Sequence, residues 1–136
     1  MVATDFSAQH TVTIPVAWGD MDALGHVNNT VYSRWFETAR IEWFARVDIA
    51  TTGGSIGPIL ARTELDFRSP VTWPDTVDVA IGVLSVGRTS IKLGYRVTSQ
   101  KQSRVVAEGV TVVVLYDYST KQSVPLDDAL RARIAP

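Results

Sequence analysis

The polar residues with the clearest chemical potential lie in one short loop, GDMDALGHVNN, over residues 19–29. The loop holds two aspartates, two asparagines and one of the two histidines of the chain. A carboxylate such as Asp22 can act as a general base toward water, or it can attack a carbonyl carbon directly. The unpaired N–H groups of a helix's first turn suit an oxygen that becomes negative during acyl transfer. Asp22 and amides around residues 28–30 therefore supply both halves of a hydrolytic site.

The same residues also have a purely structural interpretation. Asp20 and Asp22 can brace the loop, His26 can pack against the following helix, and the asparagines can cap it. Short polar side chains readily bond to nearby backbone groups in this way. From the chemistry of the residues alone, both interpretations stay open.

A serine nucleophile has the wrong context in this chain. The segment GGSIG at 53–57 matches the G-x-S-x-G pattern, which needs a strand before the serine, a helix after it and a histidine downstream. The segment instead follows a predicted helix, and both His10 and His26 lie upstream of it. We therefore interpret it as a glycine-rich loop.

A metal site also lacks the necessary residues. Asp20 and Asp22 are spaced like the first ligands of a calcium-binding loop, but Leu24 and Val31 occupy positions where further ligands belong. Asp20, Asp22 and His26 together would form an incomplete coordination shell. There is no phosphate-binding loop and no dinucleotide-binding glycine pattern. We predict no metal and no cofactor.

The elements that must position the loop follow from hydrophobic periodicity. Residues 11–18 alternate as in a half-buried strand, and Pro15 is typical of an edge. Apolar residues recur every fourth position from Val31 to Val47, which predicts a helix of roughly five turns capped by Asn28 or Asn29. Period-two segments then cover about 59–67, 77–83, 91–97 and 104–116 before a short helix capped by Asp127 or Asp128.

This order of elements predicts an α+β fold, in which one long helix is wrapped by a curved five-stranded antiparallel sheet. We expect antiparallel neighbours because tight turns join the strands. The length fits a single domain over residues 1–136. There are no cysteines, which excludes disulfides and thiolate sites and fits a cytoplasmic protein. The net charge of −1 and the absence of a long apolar run argue against nucleic-acid and membrane partners.

The run WGDMDALGHVNNTVYSRWFETAR, residues 18–40, resembles the acyl-CoA thioesterases of the hot-dog fold, specifically the 4-hydroxybenzoyl-CoA thioesterase-like family. In that family a D-x-D-x-x-G segment leads into the long central helix. Three later segments are similar to parts of the same family, so the resemblance spans about 11–134; they are LDFRSPVTWPDTV, VGRTSIKLGYRV and SVPLDDALRARI. It implies hydrolysis of an acyl-CoA thioester to a free acid and CoA, at a cleft between two subunits.

The resemblance also implies roles for individual residues. Asp22 corresponds to the catalytic carboxylate, and the main-chain amide near Asn29 corresponds to the oxyanion donor. His26 and Asn28 stand where members acting on aromatic acyl groups carry apolar or aromatic residues, which is similar to the subgroup acting on fatty acyl-CoAs. We count His26 with the catalytic residues. The predicted substrate-binding residues are Asn28, Tyr32, Arg68, Arg88 and Ser90, the last three as candidate phosphate contacts.

The resemblance further implies assembly. We expect a homodimer or a homotetramer, because an open sheet wrapped on one helix leaves strand edges and apolar surface to cover. Two alternative functions remain at this point: a non-catalytic acyl-CoA binding protein, and a hot-dog dehydratase or hydratase.

Overall fold

The structure is a computed structural model that describes residues 5–136. The long helix forms where apolar residues recur at about every fourth position, and the strands form where apolar residues recur at every second position. In chain order the elements are β1 (His10–Pro15), a short 3-10 helix (Trp18–Asp20), α1 (Asn29–Arg46), β2 (Ile56–Phe67), β3 (Thr76–Val86), β4 (Ser90–Ser99), β5 (Arg104–Asp117), β6 (Gln122–Ser123) and α2 (Asp128–Ile134).

The strands form one sheet in the order β1-β3-β4-β5-β2, with β6 paired to β5. All of these pairings are antiparallel, so the predicted α+β fold with an antiparallel sheet is confirmed. β1 is an edge strand and ends at Pro15, as expected for a residue that cannot donate a backbone hydrogen bond. The predicted count of five strands omitted β6, which has only two residues and too little sequence to show a period.

The expectation that tight turns join sequential neighbours is wrong for β2 and β3. β2 pairs with β5 at one edge of the sheet, whereas β3 lies next to β1 at the other side. Residues 68–75 cross between them at the end of the sheet. The amides of Arg68 and Ser69 both donate to the Val106 carbonyl, and the Val71 carbonyl accepts from the Val27 amide. The crossing segment therefore holds the end of the polar loop in place.

The core lies between α1 and the inner face of the sheet. Trp35, Phe36, Trp43 and Phe44 of α1 are all buried, and burial of such side chains contributes about 1.5–3 kcal/mol each. The Phe36 ring stacks on Tyr95 with centroids 4.3 Å apart. Because these rings fix the height and rotation of α1, they also fix where its first turn lies.

Edge strand β2 leaves apolar side chains exposed. The strand is twelve residues long. Four of its apolar side chains are each at least 36% exposed, namely Ile56, Ile59, Leu60 and Phe67. A long edge strand with exposed apolar residues is a surface that proteins usually cover. None of the helices in the described part of the chain is long and apolar enough to cross a membrane.

Candidate active site

The loop before α1 folds back on itself like a small hairpin. An isolated antiparallel bridge joins Met21 to Val27, and the Gly25 amide donates to the Asp22 carbonyl over 3.0 Å. Gly25 has a φ of 85°, a conformation that glycine adopts without the steric cost of a side chain. This turn places the Asp22 side chain beside the residues that begin the helix.

The Asp22 carboxylate is held by one hydrogen bond on each oxygen. Oδ2 accepts from Asn28 Nδ2 at 2.9 Å, and Oδ1 accepts from the Leu24 amide at 2.9 Å. These two bonds lower the pKa of Asp22 below its ordinary value of 3.8, with the Asn28 bond as the larger cause and the Leu24 amide second. The carboxylate is therefore ionised at neutral pH, and each oxygen keeps acceptor capacity for a water molecule.

Asn28 links this carboxylate to the helix. It is the N-cap of α1, and its Oδ1 accepts from the Thr30 amide at 2.9 Å and from Thr30 Oγ1 at 2.7 Å. The Asn28 carbonyl accepts from the Val31 amide. The Asn29 amide, by contrast, has no hydrogen-bond partner among residues 5–136. Of the amides in the first turn, that of Asn29 is the one left open to bind a negative oxygen.

Asp20 braces the loop from the inside. Its Oδ1 accepts from Arg34 Nη2 at 2.8 Å, its Oδ2 accepts from the Ala17 amide at 2.8 Å, and its carbonyl accepts from the Asn28 amide at 3.0 Å. Asp20 is buried, with 9% of its surface exposed. A buried carboxylate with both oxygens engaged in this way positions the loop.

A cavity of about 330 Å³ opens beside the first turn of α1. The structure brings four of the predicted site residues to its wall: His26, Asn29, Tyr32 and Arg68. Tyr32 is 3% exposed, and burial raises the pKa of its hydroxyl. Asp22 does not line this cavity. It is joined to the cavity's edge through Asn28, whose neighbour Asn29 is on the wall.

Sequence reasoning missed four residues of this wall, namely Val27, Phe67, Ser69 and Pro70. Phe67 and Ser69 line the cavity, and the Phe67 ring meets Tyr32 edge-on at 5.1 Å. Both residues lie within LDFRSPVTWPDTV, where the family resemblance was noted, but no local pattern marks them as site residues. Phe67 is the last residue of β2 and Ser69 belongs to the crossing segment, so both reach the site through the tertiary structure.

Arg68 is already paired with acidic groups. Its Nη2 lies 3.0 Å from Glu108 Oε2 and 3.8 Å from Asp66 Oδ2. A phosphate at this arginine would have to compete with both carboxylates. The phosphate role of Arg68 stays a prediction.

Arg88 and Ser90 are not brought to this site within one chain. Ser90 pairs with Val114 and Phe67 pairs with Ala107, so the two positions are seven residues apart along β5. That separation is roughly 23 Å at the usual rise of a strand. Their predicted substrate contacts would therefore have to be made by a different subunit from the one that supplies Asn29.

The aspartates and His26 do not converge on one point. The two carboxylates bond to different partners, and among residues 5–136 no group of three or more potential ligands could hold a metal ion.

Comparisons with known proteins show the family to which the chain belongs. The family profile described as the thioesterase-like superfamily matches residues 16–134. The PA2801 protein from Pseudomonas aeruginosa, which carries a provisional thioesterase name, is 35% identical with a TM-score of 0.87, over 95% of this chain and 100% of that one. A thioesterase from Thermus thermophilus, solved with coenzyme A and Zn, is 32% identical with a TM-score of 0.82, over 96% of this chain and 100% of that one.

A more distant structure shares the fold alone. It is the 1,4-dihydroxy-2-naphthoyl-CoA thioesterase from Synechocystis, 17% identical with a TM-score of 0.81, over 91% of this chain and 93% of that one. No curated protein sequence matches the chain. The predicted hot-dog fold is confirmed by these structural matches. The chain therefore belongs to the thioesterase-like superfamily, as the resemblance in its sequence predicted, and is by that membership a thioester hydrolase.

Proposed function

We propose that the protein hydrolyses acyl-CoA thioesters, with Asp22 as the carboxylate of the reaction and the Asn29 amide as the oxyanion donor. The observation that carries this proposal is the arrangement around Asn28. Its side-chain amide holds the Asp22 carboxylate at 2.9 Å, while its carboxamide oxygen caps a helix whose Asn29 amide has no partner among the described residues. Asn28 thus holds the carboxylate that would act as base or nucleophile, and it also caps the helix whose first amide would bind the oxyanion.

The chemical steps follow from this placement. In the general-base form, Asp22 takes a proton from water while the water oxygen bonds to the thioester carbon. In the nucleophilic form, an Asp22 oxygen bonds to that carbon, the thiolate leaves, and water later hydrolyses the mixed anhydride. In both forms the carbonyl oxygen becomes negative and accepts from the Asn29 amide. The C–S bond then breaks, and the thiolate takes a proton, for which His26 on the cavity wall is the candidate donor.

The choice of CoA as the carrier rests on similarity and on shape. The relative from Thermus thermophilus binds coenzyme A. In this chain the cavity at the helix start is walled by Tyr32 and Phe67 with Arg68 at its edge. The apolar wall suits the acyl group, whereas Arg68 would bind an anionic carrier only by exchanging its contacts with Glu108 and Asp66.

The proposal includes a second copy of the chain on edge strand β2. Antiparallel pairing of β2 with its symmetry mate would continue the sheet and cover the exposed Ile56, Ile59, Leu60 and Phe67. Phe67 belongs both to this edge and to the cavity wall. The substrate cleft would therefore lie at the subunit boundary.

The test is a thiol-release assay over short, long, branched and aromatic acyl-CoAs, with the wild-type protein and Asp22→Asn. The variant keeps the shape of the side chain and removes its charge, so kcat should fall by at least ~10², the low end of general-base effects. Asp128→Asn is the matched control, because Asp128 is exposed in the first turn of α2. Unchanged turnover in Asp22→Asn would refute the assignment of this carboxylate.

A further inference from the structure

A buried cation lies in the middle of α1, away from the proposed catalytic residues. Arg40 is only 7% exposed. Its Nη1 donates to the Tyr95 hydroxyl at 3.3 Å, and that hydroxyl shares a 2.6 Å hydrogen bond with Thr111 Oγ1. Among residues 5–136, no carboxylate lies within ion-pair distance of the Arg40 guanidinium. The charge is therefore buried against two neutral hydroxyl groups.

Such an arrangement is unusual because buried charges in proteins are normally paired. A guanidinium carries five N–H donors, and the described residues engage Arg40 through one weak bond. The hydroxyl groups of Tyr95 and Thr111 are hydrogen-bonded to each other, and neither carries a negative charge. The remaining donors of Arg40 thus have capacity for an anion.

A cavity gives an anion access to this guanidinium. Arg40 lines a groove-like cavity of about 520 Å³ between α1 and β2. The rest of the wall is mainly apolar and includes Ile41, Phe44 and Val113, together with Ile56 and Leu60 of β2, which the proposed dimer would place at the subunit boundary. Its volume lies within the range of small-molecule sites, which combine apolar walls with a few polar groups.

The one acidic residue on the wall is Glu37, one turn before Arg40. Glu37 is exposed and makes no ion pair with Arg40. It lies at the rim, where water screens its charge. Arg40 is buried, so an anion inside the cavity meets the cation in an environment of low dielectric constant.

We propose that this cavity binds a carboxylate carried on an apolar body, with Arg40 as the anchor for the carboxylate and the apolar wall around the hydrocarbon. The carboxylate can come from two sources. One is a free carboxylic acid. The other is the far end of an acyl group whose thioester is at the catalytic site. Along α1, Asn29 and Arg40 are separated by eleven residues, or roughly 16 Å, so only a long acyl group can reach.

The first test measures binding of octanoate and of its neutral analogue octanamide by isothermal titration calorimetry. Binding of octanoate to the wild-type protein should be at least about tenfold tighter than binding of octanamide, because a charge-assisted hydrogen bond is lost in the neutral ligand. In Arg40→Met this preference should disappear. Arg46→Met is the matched control, since Arg46 is an exposed arginine in the last turn of the same helix.

This binding test does not depend on catalysis, so its failure is separate from failure of the proposed function. If Arg40→Met does not fold, Arg40→Lys replaces it as a variant that retains the charge. The comparison of octanoate with octanamide on the wild-type protein then still tests whether the cavity prefers the carboxylate. Equal binding of octanoate and octanamide, or octanoate binding that Arg40→Met leaves unchanged, overturns the proposal. Absence of octanoate binding to the wild-type protein also overturns it, and a monomeric Arg40→Met variant would then assign the cavity to contact with a second copy.

The second test identifies the source of the carboxylate and rests on the proposed function. It compares kcat/KM for hexadecanedioyl-CoA, whose acyl group ends in a carboxylate, with kcat/KM for hexadecanoyl-CoA. If the acyl group supplies the carboxylate, the ratio of kcat/KM for hexadecanedioyl-CoA to kcat/KM for hexadecanoyl-CoA should fall about tenfold in Arg40→Met, while hexadecanoyl-CoA turnover is retained. If the ratio is unchanged but octanoate binding is lost, the ligand is the free acid.

Discussion

Replacement of Asn28 by serine separates the two functions that this residue combines. A serine at the N-cap still accepts from the Thr30 amide, whereas alanine does not. Alanine has no donor, and the serine hydroxyl ends one bond closer to the backbone than the Asn28 amide nitrogen, so neither side chain reproduces the 2.9 Å bond to Asp22. Asn28→Ala should therefore lose about 0.5–2 kcal/mol of stability, and Tm should fall by about 3–5 °C for each kcal/mol. Asn28→Ser should retain most of that stability.

Catalysis should respond differently from stability. Removal of the Asn28 bond takes away the largest cause of the lowered Asp22 pKa, so this pKa rises toward 3.8 and the acid limb of kcat/KM moves to higher pH. Asp22 stays ionised at pH 7 in both variants. A loss of kcat at pH 7, which we expect to be about ten- to a hundredfold, therefore measures misplacement of the carboxylate. It should be present in Asn28→Ser as well as in Asn28→Ala.

A third substitution tests the sign of the electrostatic effect. Asn28→Asp keeps a good N-cap but places a second carboxylate where the amide donor was. Like charges raise each other's pKa, so the acid limb should move further than in Asn28→Ser. The measurements are thermal unfolding, and kcat/KM from thiol release between pH 3.5 and pH 8. If serine restores both Tm and kcat, Asn28 is only a helix cap and its proposed link to Asp22 is refuted.

The remaining predictions concern pH, packing and assembly. In the wild-type protein kcat/KM should fall only at acid pH and stay flat through neutral pH, because the lowered pKa keeps Asp22 charged; a maximum on the acid side would contradict a carboxylate base. Gly109→Ala should lose about 1–3 kcal/mol in thermal unfolding, because its Cβ would overlap the Phe36 ring; Gly54→Ala, which meets nothing within 4 Å, is the control. Leu60→Lys on exposed β2 should give monomers in light scattering; a dimer that persists unchanged would remove β2 from the interface.

The fold could be predicted largely from local pattern. Val31 to Val47 carry a period of about four, and the structure has an 18-residue helix from Asn29 with Asn28 as its cap. Asp127 likewise caps α2, and its carboxylate accepts from the Leu130 amide. These features depend on residues close together in sequence. The position of β2 beside β5 could not be predicted in this way, because strand order depends on pairings between residues far apart in sequence.

The candidate site was predictable only in part, because some of its residues are brought together by contacts between distant parts of the sequence. Asp22, His26, Asn28 and Asn29 lie within eight residues, so the loop itself indicated that they lie near one another. Arg68 reaches them through the crossing segment. The location of Arg88 and Ser90 relative to the site depends on strand pairing along β5, which hydrophobic periodicity does not provide. No sequence pattern indicated that Asn28 would bond to both Asp22 and Thr30, because that geometry depends on the turn at Gly25.

The lowered pKa of Asp22 bears on which acyl bonds this site can cleave. A carboxylate with a low pKa is a weak proton acceptor, and general-base catalysis is most effective when the pKa is near the working pH. Such a base gives little help to the expulsion of an alkoxide or an amine. The thiol of cysteine has a pKa of about 8.5, and thiols as a class are far more acidic than alcohols or amines, so a thiolate leaves without strong assistance once the tetrahedral intermediate has formed. Stabilisation of the oxyanion by the open Asn29 amide then matters more than the strength of the base. The geometry is therefore suited to thioesters, and matched oxygen esters and amides should be hydrolysed far more slowly at the same site.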